Sequence, residues 1–311
     1  MLIYDNFDDI ERKDATIISV GTFDGVHFAH RQVIHKVLDL ARENNARSML
    51  VTFDPHPQEV LKNRTPDIKL LTTTAEKLKL FEELGIENVM VIKFTEEFSK
   101  TNARTFYRSL IYDKIGISHL VVGYDHGFGR NREGDLQMLK ELGSELKFEV
   151  HRVDEIDINS TKVSSTNIRH FLGEGNIEKA NSLLGYLYGF DAKVIKGDSL
   201  GRELGFPTAN LELLTANKVI PGNGVYAVKT EFGGNEYNGM MNIGFRPTVS
   251  EDSKRVIEVN IIDFSETIYG KTLTLKFVKR VRDEKKFGSK NELVEQIKKD
   301  KTEILKILNK N

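Results

Sequence analysis

The hydrophobic period of this chain changes once along its length, and this change restricts the folds that are open to it. In the first half, apolar runs at residues 16–20 and 48–53 flank an amphipathic stretch at 31–43, a pattern that predicts strand, helix and strand. The same alternation continues in the segments 73–84, 89–92, 102–115 and 119–122. Strands that alternate with helices predict a parallel sheet covered by helices.

From about Asp191 the apolar residues alternate with polar ones, as is typical of strands. Residues 225–232 and 236–242 predict a hairpin, because a Gly-Gly-Asn turn at 233–235 separates them. Two further strands are predicted at 255–264 and 272–281. These strands indicate an antiparallel barrel, and the capping-box spacing of Ser289 and Glu292 marks the start of a last helix.

The length of 311 residues exceeds that of a typical single domain, so two domains are expected. The boundary is predicted near Gly185, where a helix at 177–184 gives way to the first strand-like run. We therefore assign domains 1–184 and 185–311, with a short connection because no Pro-rich or Ser-rich linker separates them.

Charge and composition exclude several classes of function. The 45 Lys and Arg residues nearly balance the 46 Asp and Glu residues, so neither nucleic acid nor an anionic membrane is an expected partner. The chain has no Cys, which excludes disulfides and thiolate chemistry and suits the cytoplasm. The first twelve residues are acidic and no long apolar stretch follows, so neither export nor membrane insertion is expected. The oligomeric state is not specified by any of these features.

The strongest motif in the first half follows a predicted strand and opens a predicted helix. It reads Gly21-Thr-Phe-Asp-Gly-Val-His27-Phe-Ala-His30. A strand-to-helix turn presents backbone N–H groups and the positive end of a helix dipole, which together bind phosphates. His27 and His30 share one helix face and could donate hydrogen bonds to a pyrophosphate leaving group. Taken alone, the pair could also lie on the surface or supply two ligands of a zinc site, although no third ligand is near in sequence.

A second motif, Val163-Ser-Ser-Thr-Asn-Ile-Arg169, stands at another predicted helix start. Three hydroxyl groups and an arginine converge there. Taken alone, Ser and Thr at this position are more typical of a helix N-cap than of a binding site.

Together the two motifs resemble the adenylyltransferase module of the bacterial bifunctional riboflavin kinase/FAD synthetases. The resemblance implies a Rossmann-like nucleotidyltransferase domain in which His27 and His30 contact ATP phosphates and Arg169 stabilises the departing pyrophosphate. It implies ATP binding by Gly21, Phe23, Asp24, Gly25, Ser164, Ser165 and Thr166. No covalent intermediate is needed, because the FMN phosphate attacks the α-phosphorus directly.

Two further segments match parts of this family that lie near the flavin. They are Phe53-Asp-Pro-His56-Pro and Gly123-Tyr-Asp125-His-Gly-Phe128-Gly-Arg, each after a predicted strand. The resemblance implies flavin binding by Phe53, His56, Asp125 and Phe128. Pro and Gly at these positions are also compatible with plain turns. The sequence departs from the family pattern at Ala29, where Gly is usual, and at Gly127, where Arg is frequent.

The second half carries the segment Lys196-Gly197-Asp-Ser-Leu-Gly201-Arg202-Glu-Leu-Gly205-Phe-Pro207-Thr208-Ala-Asn210, which is similar to the riboflavin kinase family. Its glycines allow the backbone to approach phosphate oxygens, and the oxygens of Thr208 and Asn210 suit Mg²⁺. Alternatively, residues 207–210 form a turn that Pro207 begins. The resemblance implies that Gly197, Gly201, Arg202, Gly205 and Pro207 bind ATP.

Five further segments match this family in order, and they begin at Pro221, Asn242, Glu258, Tyr269 and Phe277. The resemblance implies a six-stranded antiparallel Greek-key β-barrel with a C-terminal helix. Glu258 corresponds to the catalytic base, which takes the proton from the ribityl hydroxyl. The resemblance also implies flavin binding by Tyr226, Arg280, Arg282 and Glu284. A glutamate within a strand is otherwise part of its polar face, and a charged segment after a strand is usually solvated.

The sequence therefore predicts an enzyme that uses Mg²⁺ and ATP to phosphorylate riboflavin to FMN and then to adenylylate FMN to FAD. Two alternatives stay open. The first is a riboflavin kinase with a weakened adenylyltransferase, which the departures at Ala29 and Gly127 suggest. The second is a non-catalytic flavin-binding regulator, which the presence of Thr208, Asn210 and Glu258 opposes.

Overall fold

The computed structural model describes residues 1–61, 68–124, 127, 134–197, 200–245 and 255–309. The chain divides into two compact units, Met1–Ser165 and Thr166–Asn311. This division groups two helices that precede residue 185 with the second unit. The domain boundary between residues 184 and 185 stays a prediction.

In the first unit, the described residues form a six-stranded parallel sheet. Its strands are β1 (Leu2–Tyr4), β2 (Thr16–Val20), β3 (Arg47–Asp54), β4 (Asn88–Lys93), β5 (His119–Val122) and β6 (Glu149–Arg152). They lie in the order β1-β4-β3-β2-β5-β6. Alternate side chains enter separate cores on the two faces, as Ile18 and Ile17 do. The predicted parallel α/β architecture is confirmed.

Helices connect these strands, and the two strands β7 (Asp157–Ile158) and β8 (Thr161–Lys162) form a separate antiparallel pair. The helices are α1 (Phe28–Glu43), α2 (Pro57–Val60), α3 (Thr74–Glu83), α4 (Ala103–Thr105) and α5 (Leu136–Leu146), with 3₁₀ turns at Phe7–Asp9 and Phe98–Lys100. The Thr73 side chain accepts a hydrogen bond from the Glu76 N–H, and the Glu76 carboxylate accepts one from the Thr73 N–H. The predicted capping box therefore begins α3.

The helix predicted at 102–115 differs in kind from an ordinary α-helix. After the single turn of α4, a π-helix runs over Phe106–Ile115. Four of its residues, Phe106, Tyr107, Ile111 and Ile115, are fully buried, so one face of the π-helix packs into the core. Gly116 ends it with φ +76°, and a Cβ there would lie 2.7 Å from the Lys13 backbone.

In the strand order of this sheet, β2 lies between β3 and β5. The strands that follow β2 are first added on one side of it, as β3 and β4, and then on the other side, as β5 and β6. Ligands of open α/β sheets bind in the crevice at the carboxyl ends of strands at such a point. The turn between β2 and α1 lies there. Phe23, Gly25 and Val26 in this turn all have positive φ, at 49°, 83° and 36°. Side-chain residues adopt this conformation only where surrounding contacts fix it.

A buried lysine of α3, Lys77, supplies some of these contacts. The Lys77 ammonium donates to the Thr22 carbonyl at 3.1 Å, the Thr52 hydroxyl at 2.9 Å and the Phe53 carbonyl at 3.3 Å. It thereby links the turn after β2 to the end of β3. Burial lowers the pKa of Lys77 from 10.5 to about 8, although Asp24, Asp54 and Glu59 oppose the shift.

In the second unit, six antiparallel strands close into a barrel. They are β9 (Gly189–Ile195), β10 (Ala209–Leu213), β11 (Gly224–Phe232), β12 (Asn235–Phe245), β13 (Arg255–Ile261) and β14 (Thr272–Arg282). The neighbours run β14-β11-β12-β13, so a fourth strand returns beside the first of three consecutive ones, as in a Greek key. The hairpin is confirmed, but its turn is shorter than the predicted 233–235, because Asn235 already belongs to β12. Gly233 and Gly234, at φ 60° and 80°, form a two-residue turn.

The second unit also contains α6 (Ser165–Gly173), which begins at the last residue of the first unit, α7 (Ile177–Leu184), α8 (Leu200–Glu203) and α9 (Lys290–Leu308). The predicted Ser289 cap begins α9. Ile304 and Leu308 of α9 pack against Val225 and Ala227 of the barrel. The structure therefore confirms the predicted barrel with a C-terminal helix.

The buried charge of Lys77 generates a prediction about pH. Because the pKa of Lys77 is lower in the folded chain than in the unfolded chain, the unfolded chain binds more protons above pH 8. The free energy of unfolding should therefore rise with pH between 8 and 10.5 through this group. Relative to Lys77→Met, the wild type should gain about 1.5 kcal/mol between pH 8 and 9.5. Denaturant unfolding followed by circular dichroism at several pH values measures this gain, and a difference independent of pH would contradict it.

Candidate active sites

The first candidate site is centred on the histidine pair of the turn between β2 and α1. The His27 and His30 rings stack with their centroids 3.6 Å apart and their planes 13° apart. His27 caps α1, because its Nδ1 accepts a hydrogen bond from the His30 N–H at 3.3 Å. The edge of the Phe23 ring meets His30 at a centroid distance of 5.4 Å. Sequence spacing predicts that the two imidazoles share a face, and the structure places them in contact.

The surroundings of His30 disfavour its protonated form. Burial lowers the pKa of His30 well below 6.5, and His27 and Lys77 lower it further. The His30 Nδ1 is buried and has no hydrogen-bond partner among the described residues. A bound anion would oppose the shift, because negative charge favours the imidazolium. A phosphate group beside the pair would therefore raise the pKa of His30 again.

Asp24 fixes this turn to the segment before α3. Its Oδ1 accepts hydrogen bonds from the N–H groups of Leu71 and Thr72 at 3.0 and 3.1 Å. The Gly25 N–H donates to the Thr72 hydroxyl at 2.9 Å. Asp24 is almost fully buried, so these contacts hold the turn from inside the protein.

The second motif reaches the first through Ser165. Its hydroxyl donates to the Asp24 carbonyl at 2.9 Å, although 141 residues separate the two positions. Val163 and Ser164 lead into α6, and Thr166 and Arg169 follow Ser165 in that helix. The structure thus joins the β2–α1 turn to the start of the Ser-Ser-Thr segment. The ATP-binding and catalytic roles implied for these residues stay predictions.

The flavin-binding residues predicted in the first unit lie in two different settings. Phe53 is buried and packs on Phe94 and Phe98, with ring centroids 5.7 and 6.2 Å away. His56 caps α2, where its Nδ1 accepts from the Gln58 N–H at 3.2 Å. Asp125 and Phe128 lie outside the described residues. Binding of flavin by these four residues stays a prediction.

The second candidate site is set by strand register in the barrel. Glu258 of β13 lies directly opposite Asn210 of β10 on one side and Asn242 of β12 on the other. Directly paired residues project from the same face of a sheet with Cβ atoms about 5 Å apart. The neighbours Ile257 and Val259 point to the opposite face. The barrel therefore brings one carboxylate and two amides together.

The glycine-rich segment lies against the two predicted metal ligands. A Cβ at Gly197 would overlap the Asn210 amide, and one at Gly201 would lie 3.0 Å from the Thr208 hydroxyl oxygen. Gly205 has φ +82°. Pro207 accepts a hydrogen bond at its carbonyl from the Asn260 amide at 2.7 Å. The Arg202 side chain lies outside the described part of the structure.

The residues predicted to bind the flavin in the second unit contact loop residues beside the barrel strands. Arg280 donates to the Asn223 carbonyl, and Glu284 accepts from the Asn223 amide at 3.2 Å and from the Phe245 N–H at 3.0 Å. Tyr226 is buried, and its hydroxyl donates to the Gly222 carbonyl.

Arg282 forms an ion pair with Asp300 of α9. The Arg282 Nε lies 3.1 Å from Asp300 Oδ1 and 2.9 Å from Oδ2. Asp300 is almost fully buried, so this pair fastens α9 to β14. Flavin contacts of Tyr226, Arg280, Arg282 and Glu284 stay predictions.

Sequence reasoning misses Lys77, since a lysine in an amphipathic helix is normally assigned to the solvent face. A signal existed, because Lys77 and Phe81 are four residues apart and both lie on the buried stripe of α3. It likewise misses the anchoring contact of Thr72 with Asp24, which links residues distant in sequence.

Comparisons with known proteins agree with both halves of the chain. The family model described as FAD synthetase matches residues 9–167, and the one described as riboflavin kinase matches residues 184–308. Among the described residues, no helix combines the length and the apolar character needed to cross a membrane.

Relatives match over nearly the whole chain. A protein of Buchnera aphidicola subsp. Schizaphis graminum is 38% identical over 93% of this chain and 92% of its own. One of Bacillus subtilis is 37% identical over 95% and 93%. Both are named bifunctional riboflavin kinase/FMN adenylyltransferase.

A crystal structure described as a macrolide-efflux protein from Streptococcus pneumoniae superposes with a TM-score of 0.87 at 30% identity, covering 97% of each chain. The family matches confirm the family predicted from the motifs and do not favour a chain with kinase activity alone. The chain belongs to the bifunctional riboflavin kinase/FMN adenylyltransferase family.

Proposed function

We propose that this chain makes FAD from riboflavin in two ATP-dependent steps, one in each half. In the second unit, the γ-phosphoryl group of ATP passes to riboflavin and gives FMN and ADP. In the first half, the adenylyl group of ATP passes to FMN and gives FAD and pyrophosphate. The observation that carries this proposal is the presence of two separate polar groups of residues, the stacked His27 and His30 and the register-paired Asn210, Glu258 and Asn242.

The adenylyl step needs positioning and charge stabilisation. An oxygen of the FMN phosphate attacks the α-phosphorus of ATP, and the bond to the bridging oxygen of pyrophosphate breaks. The N-terminal turn of α1 favours negative charge beside His27 and His30. Imidazole N–H groups can donate hydrogen bonds to the oxygens on which charge accumulates. Asp24 and Lys77 hold the turn in place from beneath, since their bonds go to backbone groups of this region.

The phosphoryl step needs a base beside the attacking hydroxyl. Glu258 takes the proton of the terminal ribityl hydroxyl as its oxygen attacks the γ-phosphorus, and the bond to ADP breaks. Asn210 and Asn242 flank Glu258 on the neighbouring strands, so the register of the sheet places the glutamate between two amides. Gly197 lies close to Asn210, and Gly201 lies close to Thr208. Backbone N–H groups of these glycines can therefore bind phosphate oxygens beside the two side chains.

The oxygen donors beside Glu258 suit a magnesium ion. Thr208 and Asn210 offer a hydroxyl and an amide carbonyl, which are hard oxygen ligands, and the facing strand adds the Glu258 carboxylate. We propose that Thr208 and Asn210 hold Mg²⁺. When bound, Mg²⁺ neutralises charge on the ATP phosphates. We also propose a cytoplasmic location, for which the absence of Cys is the support, and we expect no nucleic-acid partner because the charges nearly balance.

Substitution at Glu258 separates the two activities. Glu258→Gln should lower the conversion of riboflavin to FMN at least about 100-fold, because the amide cannot accept the proton. The conversion of FMN to FAD should be unchanged, since Glu258 belongs to the barrel. Glu236→Gln is a matched control, because this exposed glutamate of β12 pairs with Lys229 at 3.3 Å outside the site. Loss of both activities in a folded Glu258→Gln variant would contradict the assignment.

Substitution at His30 should have the opposite effect. His30→Gln should lower the conversion of FMN to FAD about 100-fold or more while the formation of FMN from riboflavin continues. His35→Gln provides the control, because His35 is an exposed residue of the same helix. Chromatographic separation of the three flavins measures both rates. Unchanged FAD formation in His30→Gln would exclude a role for the stacked pair in adenylyl transfer.

A further inference from the structure

A group of two histidines and one glutamate lies at the amino-terminal ends of β5 and β6. In the part of the chain that the structure describes, the ligand atoms of His119, Glu149 and His151 all lie within 4.8 Å of one another. His119 pairs with Glu149 in the parallel register, and His151 follows Glu149 by two residues. Side chains alternate along a strand, so all three project from the same face of the sheet.

The spacing of the three ligand atoms is close to that of a metal site. The His119 Nδ1 lies 3.0 Å from the His151 Nε2. The Glu149 Oε2 lies 3.7 Å from the former nitrogen and 3.6 Å from the latter. Tetrahedral zinc with bonds of about 2.0–2.1 Å places its ligand atoms about 3.3–3.4 Å apart. Each observed separation is therefore within about 0.4 Å of the separation that zinc requires.

The side chains are also chemically available to a metal ion. The exposed fractions of the His119, His151 and Glu149 side chains are 14%, 25% and 73%, so the group opens to solvent on the carboxylate side. A neutral imidazole offers one nitrogen lone pair to a metal ion, and a carboxylate offers an oxygen.

The position of this group separates it from the adenylyl-transfer site. The strand-to-helix turn with His27 and His30 follows the carboxyl end of β2, whereas His119 and Glu149 are the first residues of β5 and β6. In a parallel sheet the amino-terminal and carboxyl-terminal ends of the strands lie on opposite sides, so the two groups of residues are far apart. Among the described strands, β6 is at the end of the sheet order and pairs with β5. A metal ion bound by residues of both strands would therefore stabilise the pairing of β6 with β5.

We propose that His119, Glu149 and His151 bind one Zn²⁺ ion, with a water molecule as the fourth ligand. Two imidazoles and a carboxylate form a donor set that is typical of zinc. The ion links β5 to β6 across the sheet and stabilises the first unit, because it binds the folded arrangement and not the dispersed ligands of the unfolded chain.

Equilibrium dialysis of the whole chain against Zn²⁺, followed by elemental analysis, tests this proposal. The wild type should bind one Zn²⁺ ion at this site. The double variant His119→Gln/His151→Gln should bind it at least about 10-fold more weakly, since even residues that only support a ligand change metal affinity by that factor. Zn²⁺ should also raise the unfolding temperature of the wild type and not that of the variant. Co²⁺ in place of Zn²⁺ should give the visible absorption of a tetrahedral site in the wild type alone.

Two further variants keep the test decisive. His170→Gln is the matched control, because His170 lies 3.4 Å from Glu174 in a helical pair without a second histidine, and it should bind Zn²⁺ as the wild type does. Glu149→Gln changes a largely exposed side chain, so it should fold even where the double variant does not, and it should weaken zinc binding. Equal zinc binding by the wild type and Glu149→Gln, or no binding by the wild type at about 100 µM Zn²⁺, would overturn the proposal. The latter outcome would leave an imidazole hydrogen bond as the reason for the 3.0 Å contact.

Discussion

Two buried charges hold the turn on which the first site depends. Asp24 accepts hydrogen bonds from the backbone of residues 71 and 72, and Lys77 donates to the carbonyls of Thr22 and Phe53. Burial of a charge is unfavourable unless such partners replace water. The three residues with positive φ in this turn retain their conformation because the contacts surround them on both sides. The stacked histidines and the Ser165 contact in turn depend on this conformation.

The barrel positions its polar residues by a different physical means. There, the register of three neighbouring strands determines that Glu258 lies between Asn210 and Asn242. Backbone hydrogen bonds across the sheet fix this arrangement, so no buried charge is required beneath it. The glycines before β10 add the close approach of backbone to side chain. In this half, strand register rather than turn geometry therefore positions the polar residues of the candidate site.

Much of the fold follows from local patterns, and the exceptions have physical reasons. The strands Thr16–Val20 and His119–Val122 coincide with the predicted ranges, because both are short apolar runs in a buried sheet. The sequence pattern predicts no strand at Leu2–Tyr4 or Glu149–Arg152, because these edge strands contain no buried residue and no clear alternation. The predicted strand 255–264 ends at Ile261, and Asp263 has φ 58°, which is incompatible with a strand.

The candidate sites show the same division between local and distant information. The motifs predict which residue types gather near β2 and β10, and the stacking of His27 on His30 agrees with their spacing. The anchoring bonds of Lys77 could not be predicted, because they join α3 to backbone carbonyls of two other elements. The three-residue group at β5 and β6 depends on parallel pairing of strands 30 residues apart in sequence.

The central claim is that one chain carries both activities, and a time course with purified protein tests it most directly. The protein is supplied with Mg-ATP and either riboflavin or FMN, and the flavins are separated by chromatography. The account predicts that riboflavin gives FMN and then FAD, and that FMN alone gives FAD. Accumulation of FMN without FAD in both reactions would contradict it.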